Sequence, residues 1–457
     1  MKLVSKNPSK NYEFLGEVEE TIKGEVLEKL KLARSVQKEW EDLDLYKRIE
    51  ILREIYIGLE VNRNKIINLI SKETGKPIIQ SEREVNTTLN NIKWDLDNAD
   101  KCILPETTFE DDTEIHKVFY EPKGVVVSIS PFNYPFSLCS AIAIQNLIVG
   151  NAVINKPDPN ILLLYKLLEE IFNNSKLPKG VQQFVYGGSE IGNFLVEQDI
   201  DMICFTGSTR TGEYLYKAAA TKMIPILMEL GGSAPGIIFQ DAEIDKIIEG
   251  VFNKKFSNTG QLCHALKRLI VHESKFDEIV EKLKNIAEKQ IIGDCDNRNA
   301  TMGSLVNEKQ LNVLLEQFKD AVDKGAKVIC GGKQPENLKG SYFEPTLLIN
   351  ITKNMKVWTE EVFGPILPVV SFKTTDEAIE LANDTIYGLG GYVFTSDKKT
   401  FEKVSRELKT GTVACNNLVY SKPYNPFGGY KKSGIGRIRG KWGFRELCNV
   451  KVVTFEK

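Results

Sequence analysis

Histidine is scarce in this chain: 457 residues contain three, His116, His264 and His272. No HExxH occurs, so a His-rich metal site is not expected, and Ser–His catalysis is hard to assemble. The eight cysteines, at 102, 139, 204, 263, 295, 330, 415 and 448, form no CxxC pair, which speaks against a zinc ribbon and against a disulfide framework. Net charge is only -2, so no basic field draws in nucleic acid or an anionic membrane. There is no apolar run of about 18 residues, the length a transmembrane helix needs. The start, MKLVSKNPSKNYEF, lacks the apolar core of a signal peptide, which makes a cytoplasmic location the default expectation. No internal repeat or low-complexity stretch is evident.

What is present suits a globular chain. Hydrophobic residues make up 42% and charged residues 27%, enough for a large core, and the length suggests two or three domains. Residues 17–103 read as helical, with apolar residues at helical spacing over 45–76 and Gly75 and Pro77 closing that segment. From residue 113 the pattern changes. VVVSIS (125–130), AVINK (152–156), VQQFVYG (181–187), 202–205 and 224–229 read as strands alternating with helices. Such alternation implies βαβ units, a parallel sheet and a doubly wound, Rossmann-like domain. The pattern resumes after Gly232. APGIIF, RLIVHE, KVICGG, ILPVVSF, GGYVF and TVACNN read as strands, and 243–255, 275–289, 307–324, 375–383 and 398–408 as helices. This is a second α/β domain. The tail is rich in Gly and Lys and ends in a strand, VKVVTF.

The stretch FSNTGQLCHALKR (256–268) centres on Cys263. A Cys there is either a nucleophile or an ordinary buried thiol. MELGG (228–232) supplies a lone carboxylate, Glu229, between apolar neighbours, and the two stretches together suggest a nucleophile and a general base. His264 adjoins Cys263, but adjacent side chains diverge on a helix or strand, so it reads as a packing or surface residue. GSTRTG (207–212) sits between a strand and a helix, where it is either a dinucleotide phosphate turn or a plain helix cap. Lys156 ends a strand and could bond ribose or phosphate, or simply snorkel to solvent. In TEEVFGPILP, Glu361 could hold a ribose diol and Phe363 could back a nicotinamide; alone, this is a loop with a core Phe.

Together these residues resemble the aldehyde dehydrogenase superfamily. The likeness runs nearly end to end through PFNYP (131–135), INKP (154–157), FTGSTRTG, MELGG, NTGQLC with Lys267-Arg268, EEVFGP (360–365) and PFGGYKKSGIGR (426–437), in the family's order. It implies Cys263 as nucleophile, Glu229 as base and Asn133 as oxyanion donor. It implies NADP or NAD held by Ile129, Ser130, Pro131, Phe132, Lys156, Pro159, Gly207, Ser208, Thr211, Leu230, Gly231, Glu361 and Phe363. It also implies an NAD(P)-binding domain over 1–109 and 125–231, a catalytic domain over 232–426, and an oligomerisation arm over 110–124 and 427–457. That arm points to a homodimer or homotetramer. The implied chemistry is oxidation of a small aldehyde to its acid through a Cys263 thioester, with hydrolysis favoured over transfer to coenzyme A because Glu229 is kept.

Several positions depart from the family pattern. Pro159 replaces a Glu that clasps the ribose 2′-hydroxyl in NAD-preferring members, which makes NADP admissible, and Ile438 replaces the Glu of the usual GRE. The nearest branches handle succinate semialdehyde, lactaldehyde and, without phosphorylation, glyceraldehyde 3-phosphate. Their substrate arginines are absent: Ala141, Ser257 and Leu262 stand there instead, so a carboxylated substrate needs another cation, for which the tail is a candidate source. A small neutral or hydroxylated aldehyde fits those absences, while the overall likeness keeps succinate semialdehyde in contention. A coenzyme A-acylating enzyme and a catalytically silent binding protein are the alternatives.

Overall fold

In the computed structural model, which describes residues 1–419 and 421–457, two parallel sheets meet along the line where the candidate residues gather. The apolar runs Val125–Ile129 and Ala152–Lys156 are buried almost throughout, as strands covered on both faces must be. They form the middle of a six-stranded sheet, in the order Gly434–Ile435, Ile226–Glu229, Met202–Thr206, Val125–Ile129, Ala152–Lys156, Gln182–Phe184. All neighbours are parallel except the short tail strand Gly434–Ile435, which runs antiparallel and sets Gly434 opposite Glu229. The chain builds outward from Val125–Ile129 on one side, then returns to build on the other. The carboxyl ends of Val125–Ile129 and Met202–Thr206 therefore flank a switch point, the crevice where open α/β sheets bind ligands.

A second, seven-stranded sheet runs Lys327–Cys330, Thr346–Ile349, Ile366–Phe372, Leu266–His272, Ala234–Ile238, Gly390–Phe394, Thr412–Cys415, with only its first pairing antiparallel. Cys448–Glu456, Glu114–Pro122 and Glu106–Glu110 form a separate antiparallel β arm. A Rossmann-like domain, an α/β catalytic domain and a small β arm thus make up the fold, as the alternation of elements and the family resemblance lead one to expect.

The expected helical region resolves into Lys23–Asp42, Leu45–Val61, Arg63–Thr74, Ile78–Asn98 and Asp100–Ile103. Its breaks have local causes: the Asp44 carboxylate caps the second helix by accepting from the Tyr46 N–H at 2.8 Å, and Gly75 ends the third in the left-handed region at φ 75. Two readings need correction, and one strand was not foreseen. Residues 17–19 belong to a hairpin, Lys2–Asn7 with Glu13–Glu19, whose mixed polar surface carries no helical or strand period. The strand expected over 181–187 covers only Gln182–Phe184. Thr346–Ile349 is a strand too short to stand out from its loop. Among the described residues, no helix is long and apolar enough to cross a membrane, and no cluster of His, Cys, Asp and Glu could hold a metal.

One buried carboxylate ties the hairpin to the helices. Glu73 accepts the Ser5 hydroxyl at 2.6 Å and the N–H groups of Leu162, Leu163 and Leu164 at 2.8–2.9 Å, capping the helix Leu163–Asn173. Replacing Glu73 with Ala should strand those donors in the core and destabilise the fold by about 3 kcal/mol, read as a lowered thermal midpoint.

Candidate active site

The loop that presents Cys263 begins where the helix Ile244–Phe256 ends. Asn258, Thr259 and Gly260 follow with φ of 50, 55 and 76, three successive left-handed residues. A β-branched Thr resists that conformation, so its surroundings must impose it. They do. The Asn258 amide donates to the Asn133 carbonyl at 3.0 Å and the Gln261 carbonyl at 3.2 Å, and the Thr259 hydroxyl donates to Gly303 O at 3.0 Å. Gln261 donates to Asn258 O at 3.1 Å and accepts from the Val306 N–H at 3.1 Å. The polar residues before Cys263 thus shape the turn, and the strand Leu266–His272 carries the chain away from it.

Cys263 is half-buried, and burial pushes its thiol up to about 11 against the opposing pull of the Lys267 ammonium. Lys267 is itself buried. It donates to Gly232 O at 2.8 Å and Cys263 O at 3.2 Å, and pairs with the Glu361 carboxylate. Glu361 also accepts the Gly232 N–H at 3.1 Å. Gly231 is required for this approach, because a Cβ there would stand 2.2 Å from the Glu361 Oε2. The Lys267 ammonium lies 5.2 Å from the centre of the Phe363 ring, whose edge meets Phe132 at 6.1 Å.

Glu229 closes the strand Ile226–Glu229 with its carboxyl buried and neither oxygen partnered among the described residues. Burial holds this carboxyl well above the usual carboxylate range, and only the nearby charges of Arg437 and Arg439 pull it back. Beside it, between Ile129, Ile142, Thr206 and Ile438, lies a cavity of about 10 Å³, close to the space one water needs. Ile438, where the family signature usually carries a Glu, thus forms part of its wall. Asn133 is buried nearby. Its amide donates to Gln261 O at 3.1 Å, leaving a second N–H, while its Oδ1 is unpartnered among the described residues.

His264 requires a correction. Residues 263–265 form a turn, not a helix or strand, so neighbouring side chains need not diverge, and His264 Nδ1 lies 3.6 Å from Cys263 Sγ. Burial and the charges of Lys254, Arg439 and Lys267 hold the imidazole well below its ordinary range. It is a neutral hydrogen-bond partner, not the cation of a thiolate ion pair.

The remaining candidates line the switch-point crevice. Ile129 ends its strand, followed by Ser130, Pro131 and Phe132. Lys156 is buried at the carboxyl end of the next strand, bonded to Pro157 O at 3.2 Å, and burial lowers its basicity. Ser208 caps the helix Thr209–Lys222 by accepting the Thr211 N–H at 3.3 Å. A Cβ on Gly207 would meet the Phe205 ring at 2.4 Å, so the backbone there stays bare. Leu230 packs under Gly212. Pro159, three residues after Lys156, is exposed, and Asp158 is occupied by Asn160, whose N–H and amide it accepts at 2.9 and 2.6 Å. A bare turn at a helix start, a buried ammonium and a carboxylate beside an aromatic ring fit a nicotinamide dinucleotide: phosphate, ribose hydroxyls and ring each find a suitable group. A larger cavity of about 440 Å³, walled by Glu25, Glu28, Lys29 and Tyr186, shares no residue with this centre. Chemistry, not cavity size, locates the site.

Sequence reasoning misses the support beneath Asn133. Lys76 and Glu84 form a fully buried pair, Nζ to Oε2 2.5 Å. Lys76 also donates to the Asn133 carbonyl at 3.0 Å and sits 4.0 Å over the Tyr134 ring. Glu84 accepts the N–H groups of Phe136 and Ser137 at 3.1 and 3.3 Å. In the sequence Lys76 sits between the Gly75 and Pro77 that stop a helix, and only its pairing in space marks it out.

The profile described as the aldehyde dehydrogenase family matches residues 2–453. The peroxisomal aminoaldehyde dehydrogenase 1 of Pisum sativum is 36% identical over 434 residues, covering 93% of this chain and 85% of that protein. The succinate-semialdehyde dehydrogenase (NADP(+)) GabD of Escherichia coli (strain K12) is 32% identical over 447 residues, covering 97% and 92%. Among solved structures, an E. coli NADP-dependent enzyme superposes with a TM-score of 0.96 at 32% identity, over 100% of this chain and 95% of that one.

Two outcomes follow from the geometry. Lys76→Met should lower kcat about tenfold to a hundredfold through a misplaced Asn133, with KM and cofactor affinity moving far less. Alkylation of Cys263 by iodoacetamide should speed up about tenfold per pH unit as the thiolate fraction grows, and level off only near pH 11, the thiol's raised pKa. A plateau by pH 8 would contradict that environment.

Proposed function

The chain belongs to the aldehyde dehydrogenase family and is an NAD(P)-dependent enzyme of that class, and from this premise we propose that it oxidises a small aldehyde to the free acid through a thioester on Cys263. The carrying observation is Glu229: a buried carboxyl with two unpartnered oxygens, coupled electrostatically to Cys263, beside room for one water. Bound NAD(P) supplies the hydride acceptor. The chain's residues do the rest. Cys263 Sγ attacks the carbonyl carbon as its proton departs. The oxyanion is met by the second N–H of the Asn133 amide and a backbone N–H of the turn. Glu229 then takes a proton from the water that attacks the thioester, and the acid leaves as the thiol is restored.

Succinate semialdehyde and lactaldehyde are the proposed substrates. Glyceraldehyde 3-phosphate is a second reading, favoured by the branch likeness of the Cys263 stretch. NADP is admissible because Pro159 offers no carboxylate and Asp158 is already bonded to Asn160. A homodimer or homotetramer through the β arm is proposed in addition. Val450 and Val452 are each 63% exposed on its outer strand, apolar surface that a second copy would cover.

The assay is the purified protein with a panel of aldehydes, NAD or NADP, with and without coenzyme A, following reduced cofactor. Turnover without coenzyme A is expected. Cys263→Ala should abolish it while cofactor still binds, and Glu229→Gln should slow the steady state about a hundredfold or more while sparing most of the first-turnover burst. Strict dependence on coenzyme A would sink hydrolysis, and a fully active Cys263→Ala would sink the nucleophile assignment.

A further inference from the structure

Lys255 has no role in the chemistry above. It lies in the last turn of the helix Ile244–Phe256, just before the turn that presents Cys263, and its side chain is wholly enclosed. A lysine is almost never fully buried unless something holds its head group. Among the described residues its one hydrogen bond runs from Nζ to the Val362 carbonyl at 3.2 Å. Burial, helped by the charge of Lys267, keeps the amine well below the ordinary lysine range. Enclosed in this way, it touches neither substrate nor cofactor.

The carbonyl it holds lies between the two side chains expected to grip the nicotinamide end of the cofactor. Val362 is buried in a core cluster with Leu314 and Ile366, whereas Glu361 and Phe363 on either side are only half-buried. Glu361 turns to Gly232 and Lys267, and Phe363 to Phe132. The same loop meets the nucleophile's segment twice more. Lys267 pairs with Glu361, and Gly260 lies so close to Gly364 that a Cβ on Gly260 would stand 2.2 Å from the Gly364 oxygen. Lys255, Gly260 and Lys267 thus lace residues 361–364 to the chain on both sides of Cys263. Gly260 acts by close approach and Lys267 through the Glu361 side chain. Among the described residues of 255–267, Lys255 is the one whose side chain bonds the loop's backbone.

We propose that Lys255 is a positioning residue for hydride transfer: through Val362 it sets the place of Glu361 and Phe363, and with them the nicotinamide, relative to Cys263. This rests on the proposed roles of Cys263, Glu361 and Phe363. In that step the C–H bond of the substrate carbon held on Cys263 breaks. Its electron pair passes with the hydrogen to the nicotinamide, and the oxyanion collapses to the thioester carbonyl. The nucleophile's turn fixes the donor and the loop fixes the acceptor, so their separation depends on what joins turn to loop. Reacting atoms must lie about 3–3.5 Å apart, and a displacement of about 1 Å costs about a hundredfold in rate.

The test measures cofactor reduction in a single turnover, with the full-length enzyme in excess over the aldehyde it uses best and NAD or NADP saturating. Lys255→Met, of similar length but without a donor, should lower that rate about tenfold to a hundredfold. Its steady-state turnover should also slow when the hydrogen on the aldehyde carbon is deuterium. Two readouts should move little. Alkylation of Cys263 by iodoacetamide without cofactor should be unchanged, because the nucleophile's own turn is intact. Binding of the reduced cofactor, read from its fluorescence without aldehyde, should weaken by no more than about tenfold. Lys255→Gln, which keeps a donor on a shorter side chain, carries the same comparison if the Met variant does not fold. An unchanged single-turnover rate overturns the proposal. So does a loss recovered by more cofactor, a loss matched by faster alkylation of Cys263, or failure of both variants to fold, since Lys255 would then serve affinity or the fold alone. An intact enzyme that reduces no cofactor with any aldehyde instead overturns the role of Cys263 on which the proposal rests.

Discussion

A single buried ammonium holds the centre together. Lys267 bonds the carbonyls of Gly232 and Cys263 and pairs with Glu361, so it joins the end of one sheet, the nucleophile's turn and a loop of the other domain. Such an ammonium is stable away from water only if it is fully partnered. Each of those three segments is therefore constrained by the needs of one charge. The same charge is the chief influence opposing the desolvation of the Cys263 thiol. Architecture and reactivity share a cause here, and neither can be altered alone.

The two groups proposed to react are alike in being driven towards their uncharged forms. Cys263 and Glu229 are both desolvated, and the charge of Glu229 makes Cys263 harder still to ionise. A resting site of this kind holds little standing charge. It acquires charge when a substrate and a positioned donor make that favourable, which protects a thiol from stray oxidants and electrophiles between turnovers.

Most of the fold was legible because strand and helix periods alternate so regularly from Val125 onward, and a sheet buried on both faces writes itself as unbroken apolar runs. The N-terminal hairpin was illegible because its faces are mixed, and Thr346–Ile349 because four residues carry no period. Within the site, Cys263, Glu229 and Asn133 are marked by their local motifs and come together in space. The cluster around them was not legible. Lys76 sits in the break between two helices and Glu84 on the second of them, and charges in such a stretch look like solvent-facing ones. His264 was misjudged because the turn that bends its ring towards Cys263 depends on Asn258 and Gln261 bonding far from where they lie in sequence. Side chains that act through tertiary hydrogen bonds leave no periodic trace.

The tail strand Gly434–Ile435 has a temporal meaning. It completes the edge of a sheet whose other strands all lie between Val125 and Glu229, and it brings Arg437 and Arg439 to the carboxyl of Glu229. During synthesis the Rossmann-like domain can assemble as soon as its own strands leave the ribosome. Until the tail arrives, that nascent domain has an open edge beside Glu229, without the two arginines near that carboxylate. Cys263 emerges later still, but also before the tail. The fold thus separates the appearance of a reactive cysteine from the closing of its surroundings, and an unfinished chain carries the nucleophile without the enclosure that governs it.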